Sequence, residues 1–154
     1  MNSEIQNIIA LLTSTFEKKA WHGPAVREVL KDIMPAQALH RLENTHSIIE
    51  LIAHMTSWRV FVIKKLEGEQ NYTVTDEMNF PAVKDLQKAI IDLEESQSRL
   101  LAALGHFPGA RLHEIVPHGS YRYSYYTLLH GIIHHDVYHG GQIKLISKSL
   151  GIKD

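Results

Sequence analysis

Apolar residues recur every three or four positions in four long stretches of this chain, which is the spacing of one face of an amphipathic helix. The stretches cover residues 4–19, 47–66, 79–105 and 124–151. Between them the sequence shows none of the alternating apolar and polar runs that indicate a half-buried strand. The pattern therefore predicts an all-α protein that folds as a four-helix bundle.

Residues that start or stop helices stand at several of these predicted boundaries. Ser47 and Glu50 have the spacing of a capping box at the start of the second long helix. Asn79 is a predicted N-cap of the third, because Pro81 follows it in the first turn, and Gly105 is its predicted end.

A short extra helix is expected between the first and second long helices. Pro24 fits its first position, the helix covers residues 25–33, and Pro35 is expected to stop it. About twelve polar residues follow Gly68 and are expected to connect the second and third long helices.

Composition and charge limit the possible classes of protein. The 154 residues, 44% of them hydrophobic and 21% charged, fit a single domain over residues 1–154. Sixteen Lys and Arg residues against seventeen Asp and Glu leave the chain nearly neutral, which disfavours a nucleic-acid partner. No basic leader and no apolar run of membrane-spanning length is visible, so we expect a cytoplasmic protein with no membrane partner. The lack of cysteine excludes disulfides and thiolate ligands from the protein.

Histidine is abundant, with eleven residues, and two of them interrupt the apolar face of the fourth helix. That face consists of Leu128, Ile132, His135, His139, Ile143 and Ile146. His54 lies in the same way between Leu51 and Trp58 on the second long helix. The spacing therefore predicts three imidazoles that point into the bundle core.

A buried imidazole needs partners for its ring nitrogens, and a divalent metal ion would satisfy all three at once. Three histidine ligands would also leave coordination positions open, as in catalytic metal sites. The alternative is that each histidine is only hydrogen-bonded in the core. His130 and His134 have the same spacing on a less apolar face and form a competing pair of ligands.

Three segments of the chain resemble the DinB/YfiT-like family. The stretch His-His-Asp-Val-Tyr-His-Gly-Gly-Gln-Ile over residues 134–143 resembles the family's C-terminal signature. Trp-His-Gly-Pro-Ala-Val over residues 21–26 is similar to its segment after the first helix, and residues 47–58 are similar to its second-helix motif.

This resemblance implies a fold, a ligand set and a range of reactions. The family's metal-binding histidines fall on His54, His135 and His139 of this sequence. The implied fold is an up-down-down-up bundle, often a homodimer, that binds one divalent ion such as zinc or nickel. Similar proteins include transferases and isomerases that use low-molecular-weight thiols such as bacillithiol or mycothiol.

Four further residues are candidates for a role beside the metal. Gln142 follows His139 by three residues, so it could hydrogen-bond a metal-bound water or the substrate, or simply pack. Asp136 and Tyr138 flank the ligands and could orient an imidazole or take part in catalysis, or be solvated. Arg122, in the tyrosine-rich run over residues 121–126, could be a counter-charge for an anionic cosubstrate.

These observations predict a metal-dependent enzyme, either a thiol S-transferase or a hydrolase, that acts on a small cytoplasmic molecule. A metal ion in an open site lowers the pKa of a bound water or thiol, so either reaction is compatible with three histidines. The alternatives are a non-catalytic metal-binding or stress-response module and a metal-free dimeric helical scaffold.

Overall fold

The computed structural model describes residues 3–117 and 122–151 of the chain. This part of the chain contains seven α-helices and no β-strand, apart from one isolated bridge between Ile115 and Ser124. The helices are α1 (Ser3–Phe16), α2 (Val26–Leu30), α3 (Pro35–Leu39), α4 (Ile48–Leu66), α5 (Asp76–Asn79), α6 (Leu86–His106) and α7 (Tyr125–Ser149). The prediction of an all-helical protein is confirmed.

Side-chain caps fix the starts of α4 and α7. The predicted capping box of α4 is present: the Glu50 carboxylate accepts the Ser47 backbone N–H at 2.8 Å, and the Ser47 hydroxyl accepts the Glu50 backbone N–H at 3.5 Å. Ser124 caps α7 by accepting the Thr127 N–H at 3.2 Å. Both helices therefore begin where the sequence predicted.

The third long helix begins six residues later than predicted, because its N-cap is Asp85 instead of Asn79 and its first helical residue is Leu86. Its N-cap is Asp85, whose carboxylate accepts the Lys88 N–H at 3.0 Å. Asn79 is instead the last residue of the short helix α5, and Phe80 leaves the helical region with φ −131° and ψ 75°. The physical reason is Pro81, because a proline ring clashes with a helical conformation of the residue before it.

The connection between α1 and α4 also differs from the prediction, since it holds two short helices instead of one. The first, α2, ends at Leu30, and Pro35 occupies the first turn of α3. The N–H groups of the first helical turn have no partner within the helix, so a proline, which has no N–H, loses nothing there. Pro35 therefore begins a helix, whereas the prediction was that it would end one. The predicted extension of α1 to residue 19 is wrong, because α1 ends at Phe16 and Lys19 has a φ of 61°.

The four long helices pack around a common core. Helices α1 and α4 each pack against both α6 and α7, while the short helix α5 packs against α4. Fully buried core side chains come from all four, including Leu12 of α1, Ile52 of α4, Leu100 of α6 and Ile143 of α7. The apolar faces predicted from the spacing are the faces that meet.

A buried hydrogen-bonded chain also joins all four long helices. Arg59 of α4 donates to the Asp136 carboxylate of α7 at 2.5 Å and to the Gln97 amide oxygen of α6 at 2.6 Å. Gln97 in turn donates to the backbone carbonyl of Leu12 in α1 at 3.3 Å. The Arg59 guanidinium also lies 4.6 Å from the centre of the Phe16 ring. We call these residues the four-helix polar network.

In the part of the chain that the structure covers, no helix has both the length and the apolar character needed to span a membrane.

Candidate metal centre

Helices α4 and α7 bring the three predicted histidines together. The Nε2 atom of His135 lies 3.1 Å from Nε2 of His54 and 3.1 Å from Nε2 of His139. One nitrogen from each of the three side chains lies within 4.8 Å of the others, so the group could hold a metal ion. His54 and His139 are each only 7% exposed, which makes this a largely enclosed cluster of nitrogen ligands.

In His54 and His139, a hydrogen bond at Nδ1 leaves Nε2, the nitrogen that faces the cluster, without a proton. The His54 Nδ1–H donates to the backbone carbonyl of Asn79 at 2.8 Å, and a carbonyl can only accept. The His139 Nδ1–H donates to the Gln142 amide oxygen at 2.6 Å. With its proton held on Nδ1, each neutral ring directs the lone pair of Nε2 at the cluster, as a metal ligand must.

This arrangement suits a cation better than hydrogen bonding alone. A neutral His135 ring has at most one proton on Nε2, which cannot be donated fully to two lone pairs at once. Two nitrogens bound about 2.0–2.1 Å from one ion, at an angle between 90° and the tetrahedral value, would lie about 2.8–3.4 Å apart, a range that includes the observed spacing. The residues therefore fit a divalent ion.

The surroundings keep the three imidazoles neutral. Burial, together with repulsion from His139, His54 and Arg59, lowers the pKa of His135 to about 3. Burial also lowers the pKa of His54 and of His139, although the hydrogen bonds to Asn79 and Gln142 oppose the shift. Metal ligation requires the neutral form, so proton competition at neutral pH is weak.

Aromatic rings pack against the His54 side of the cluster. Phe80 lies between two imidazoles, with its ring centre 4.3 Å from that of His54 and 3.8 Å from that of His46, both nearly parallel. Trp58 donates from its indole N–H to the Asn79 side-chain oxygen at 3.0 Å. The backbone and the side chain of Asn79 thus hold His54 and Trp58 together.

Two cavities adjoin the three-histidine cluster. One, of about 250 Å³, has His135 in its wall together with Trp58 and Phe61 of α4. The other, of about 420 Å³, is lined by His139 and Gln142 among others. Small molecules therefore have space on two sides of the cluster.

The other predicted site residues lie at different distances from the three-histidine cluster. Gln142 contacts the cluster directly, and its oxygen bonds to the His139 ring, whereas the sequence left open a bond to water or substrate and simple packing. Tyr138 is 64% exposed at the rim, with its ring centre 5.0 Å from that of His139. Asp136 is fully buried, and its carboxylate is paired with Arg59 in the four-helix polar network instead of orienting an imidazole. Burial raises the pKa of Asp136 to about 6, although the Arg59 charge opposes this shift.

The remaining candidates lie outside the three-histidine group. His134 is exposed, and the rings of His130 and His134 lie 6.5 Å apart, while His130 packs on Tyr126 at 4.3 Å. Arg122 is exposed at the start of the last segment, and Tyr121 of the tyrosine-rich run lies outside the described residues. Among the residues that the structure describes, His130 and His134 are not part of any group of three potential ligands.

Sequence reasoning missed Asn79, Phe80, His46 and Arg59 as parts of this environment. Asn79 acts on His54 through its backbone carbonyl, which no side-chain pattern reveals, and it is separated from His54 by 25 residues. Arg59 follows His54 by five residues, so a charged residue near an otherwise apolar face was the one available signal.

One of three comparisons with known proteins assigns a family to this chain. Neither the curated proteins nor the solved structures gave a significant match to this chain. The family model of the DinB superfamily, in contrast, matches residues 20–143, which include all three histidines and most of the bundle. On this match, the chain belongs to the DinB superfamily.

Proposed function

We propose that this chain is a divalent-metal-dependent enzyme that acts on a small molecule, by thiol S-transfer or by hydrolysis. His54, His135 and His139 would hold the ion. The observation that carries the proposal is the convergence of three Nε2 atoms with 3.1 Å spacings, two of them with their lone pairs directed inward. A divalent ion bound there supplies Lewis acidity and lowers the pKa of a water or thiol that it binds.

The protein residues have distinct tasks in this proposal. Asn79 and Gln142 hold the rings of His54 and His139 in the tautomer that ligation requires. Three protein nitrogens leave coordination positions for an exogenous group, and the cavity beside His139 and the cavity beside His135 give such a group access.

Several finer features belong to the same proposal. We expect zinc or nickel as the ion and a low-molecular-weight thiol as a cosubstrate of the transferase. For the bundle we propose the up-down-down-up arrangement, which is compatible with α1 and α4 each packing between α6 and α7. A homodimer and a cytoplasmic location stay predictions of the sequence.

Elemental analysis of protein purified without a histidine tag tests the metal. We expect about one divalent ion per chain, and no binding in His54→Ala, His135→Ala or His139→Ala. His134→Ala is the matched control, because His134 is an exposed histidine on the same helix as two of the ligands. Metal content near zero in the wild type, with no uptake of added zinc or nickel, would contradict the proposal.

Circular dichroism after chelation separates an enzyme from a module that the ion mainly stabilises. The apolar faces of the long helices provide most of the folding free energy, so the chelated protein should remain helical while it loses turnover. Loss of helix on chelation would favour the non-catalytic module instead.

A further inference from the structure

The cavity beside His135 has an apolar wall. Trp58, Phe61 and Val62 of α4 form one side, and Leu128 and Ile132 of α7 form the other. A volume of about 250 Å³ exceeds the roughly 150 Å³ of an engineered apolar cavity that holds benzene, so it has room for a group of at least six carbon atoms. We call this cavity the His135 pocket.

The His135 pocket is also free of formal charge over its described lining. Its polar members are Tyr123, Thr127 and His135, and the lining contains no Asp, Glu, Lys or Arg side chain. Burial raises the pKa of Tyr123, so its hydroxyl stays protonated. A charged group of a ligand would find no counter-ion among these residues, whereas an apolar group would find several contacts.

Gly131 lines this pocket from the α7 side and is exposed there. A glycine inside a helix destabilises it by roughly 0.5–1 kcal/mol relative to alanine. Here a Cβ atom would meet no heavy atom within 4 Å, and packing does not require the glycine. The consequence is local, because any larger side chain at this position would occupy space at the pocket.

We propose that the His135 pocket is the subsite for an uncharged, apolar part of the substrate or cosubstrate, whose reacting atom is held at the three-histidine cluster. His135 connects the two places, since its ring belongs both to the cluster and to the pocket wall. This inference rests on the proposed function and adds the chemical class of the ligand: a small molecule that carries an uncharged, apolar group of about six carbon atoms.

The test uses two probe series with the same alkyl chains. Straight-chain 1-alkanols from ethanol to hexanol probe the pocket alone, and alkanethiols of equal length probe the pocket together with the ion in cobalt-loaded protein. Binding of alkanols is followed by the fluorescence of Trp58 in the Trp21→Phe background, because Trp21 is fully exposed and these are the two tryptophans of the chain. Thiol binding is followed by the sulfur-to-cobalt charge-transfer band.

Affinity should rise by up to about fourfold for each added methylene in both series, and level off when the chain outgrows the pocket. Gly131→Leu should remove this dependence on chain length. Leu128→Gln, which keeps the size of the side chain but makes the wall polar, should weaken it. Gly105→Leu is the matched control, since Gly105 also lies in a helix with no atom near its Cβ position and does not line the pocket.

The outcomes separate this inference from the proposed function. The subsite would be overturned if affinity did not change with chain length in either series. It would also be overturned if affinity changed with chain length for the alkanols while thiols of all chain lengths bound with the same affinity. If no thiol gives a cobalt band, the thiol branch of the proposed function fails, and the alkanol series still decides the subsite. If Gly131→Leu alters only the oligomeric state in gel filtration, the pocket is an interface between copies and the inference is wrong.

Discussion

Replacing Gln142 by leucine tests whether the hydrogen bond at the back of His139 prepares that ring for metal binding. In the wild type the Gln142 oxygen accepts the Nδ1–H of His139 at 2.6 Å, which leaves Nε2 without a proton. Gln142→Leu keeps a side chain of similar size and removes the acceptor. The His139 ring is then free to move its proton to Nε2, where it can donate to His135.

The size of the effect follows from the burial of the ring. His139 is only 7% exposed, and a buried donor that loses its partner costs about 1–3 kcal/mol. The metal-free protein avoids most of this cost by shifting the proton to the other nitrogen. The metal-bound protein cannot, because the ion occupies Nε2. Metal affinity should therefore fall by about 10- to 100-fold, since about 1.4 kcal/mol corresponds to a factor of ten.

Chelator competition with zinc or nickel measures this change. Gln142→Glu, which restores an acceptor oxygen, should recover the affinity lost in Gln142→Leu. Gln87→Leu is the control, because Gln87 is an exposed helical glutamine on α6. The free energy of unfolding of the metal-free protein should change by less than about 1 kcal/mol in Gln142→Leu.

Unchanged affinity in Gln142→Leu, in a protein whose wild type binds metal, would refute the tautomer argument. Equal losses in Gln142→Leu and Gln87→Leu would point to a general effect of the substitution and would refute it as well.

Three further predictions concern stability, measured by urea unfolding. Arg59→Met should lower the free energy of unfolding by about 3–5 kcal/mol because it leaves Asp136 buried without its partner, and adding Asp136→Leu should restore most of the loss. Leu100→Ala should cost about 2–5 kcal/mol, since Leu100 is fully buried in the core. The hydrogen bond from Arg41 lowers the pKa of Glu50 from 4.5 to about 2. The ionised carboxylate therefore stabilises the fold fully above about pH 4.5, and this contribution is lost as the pH falls towards 2. The free energy of unfolding of the wild type should exceed that of Glu50→Gln by about 1 kcal/mol at neutral pH and by almost nothing near pH 2.

Helical periodicity predicted the parts of this protein that depend on repeated local rules. The apolar faces of α4 and α7 follow from spacing alone, and His54, His135 and His139 lie on those faces. Because residues on the apolar face of a helix point towards the core, spacing predicted that the three rings are directed inward. The preference for this set over hydrogen-bonded core histidines came from the family resemblance. The start of α4 was equally predictable, because a capping box involves residues only three positions apart.

Features that depend on contacts between distant segments could not be predicted in this way. Asn79 shows the limit most clearly. The residues around it favour the start of a helix, but nothing in them indicates that its backbone carbonyl accepts the His54 N–H. The role of Asp136 was also missed, since pairing with Arg59 depends on the relative rotation of α4 and α7. Rotation and axial position of packed helices are set by the whole core, and a single sequence pattern does not contain them.

The four-helix polar network has a consequence for how accurately the bundle is aligned. Apolar helix faces tolerate a shift along their axes, because one leucine can replace another in a neighbouring gap. The hydrogen bonds of this network, in contrast, form at one axial position of the four helices and break at others. They join Arg59 to Asp136, Arg59 to Gln97, and Gln97 to the Leu12 carbonyl. Since α4 and α7 also carry the three histidines, the network fixes the positions of the three Nε2 atoms relative to one another. A bundle with this network replaced by hydrocarbon could be as stable as the wild type and still lose the coordination geometry.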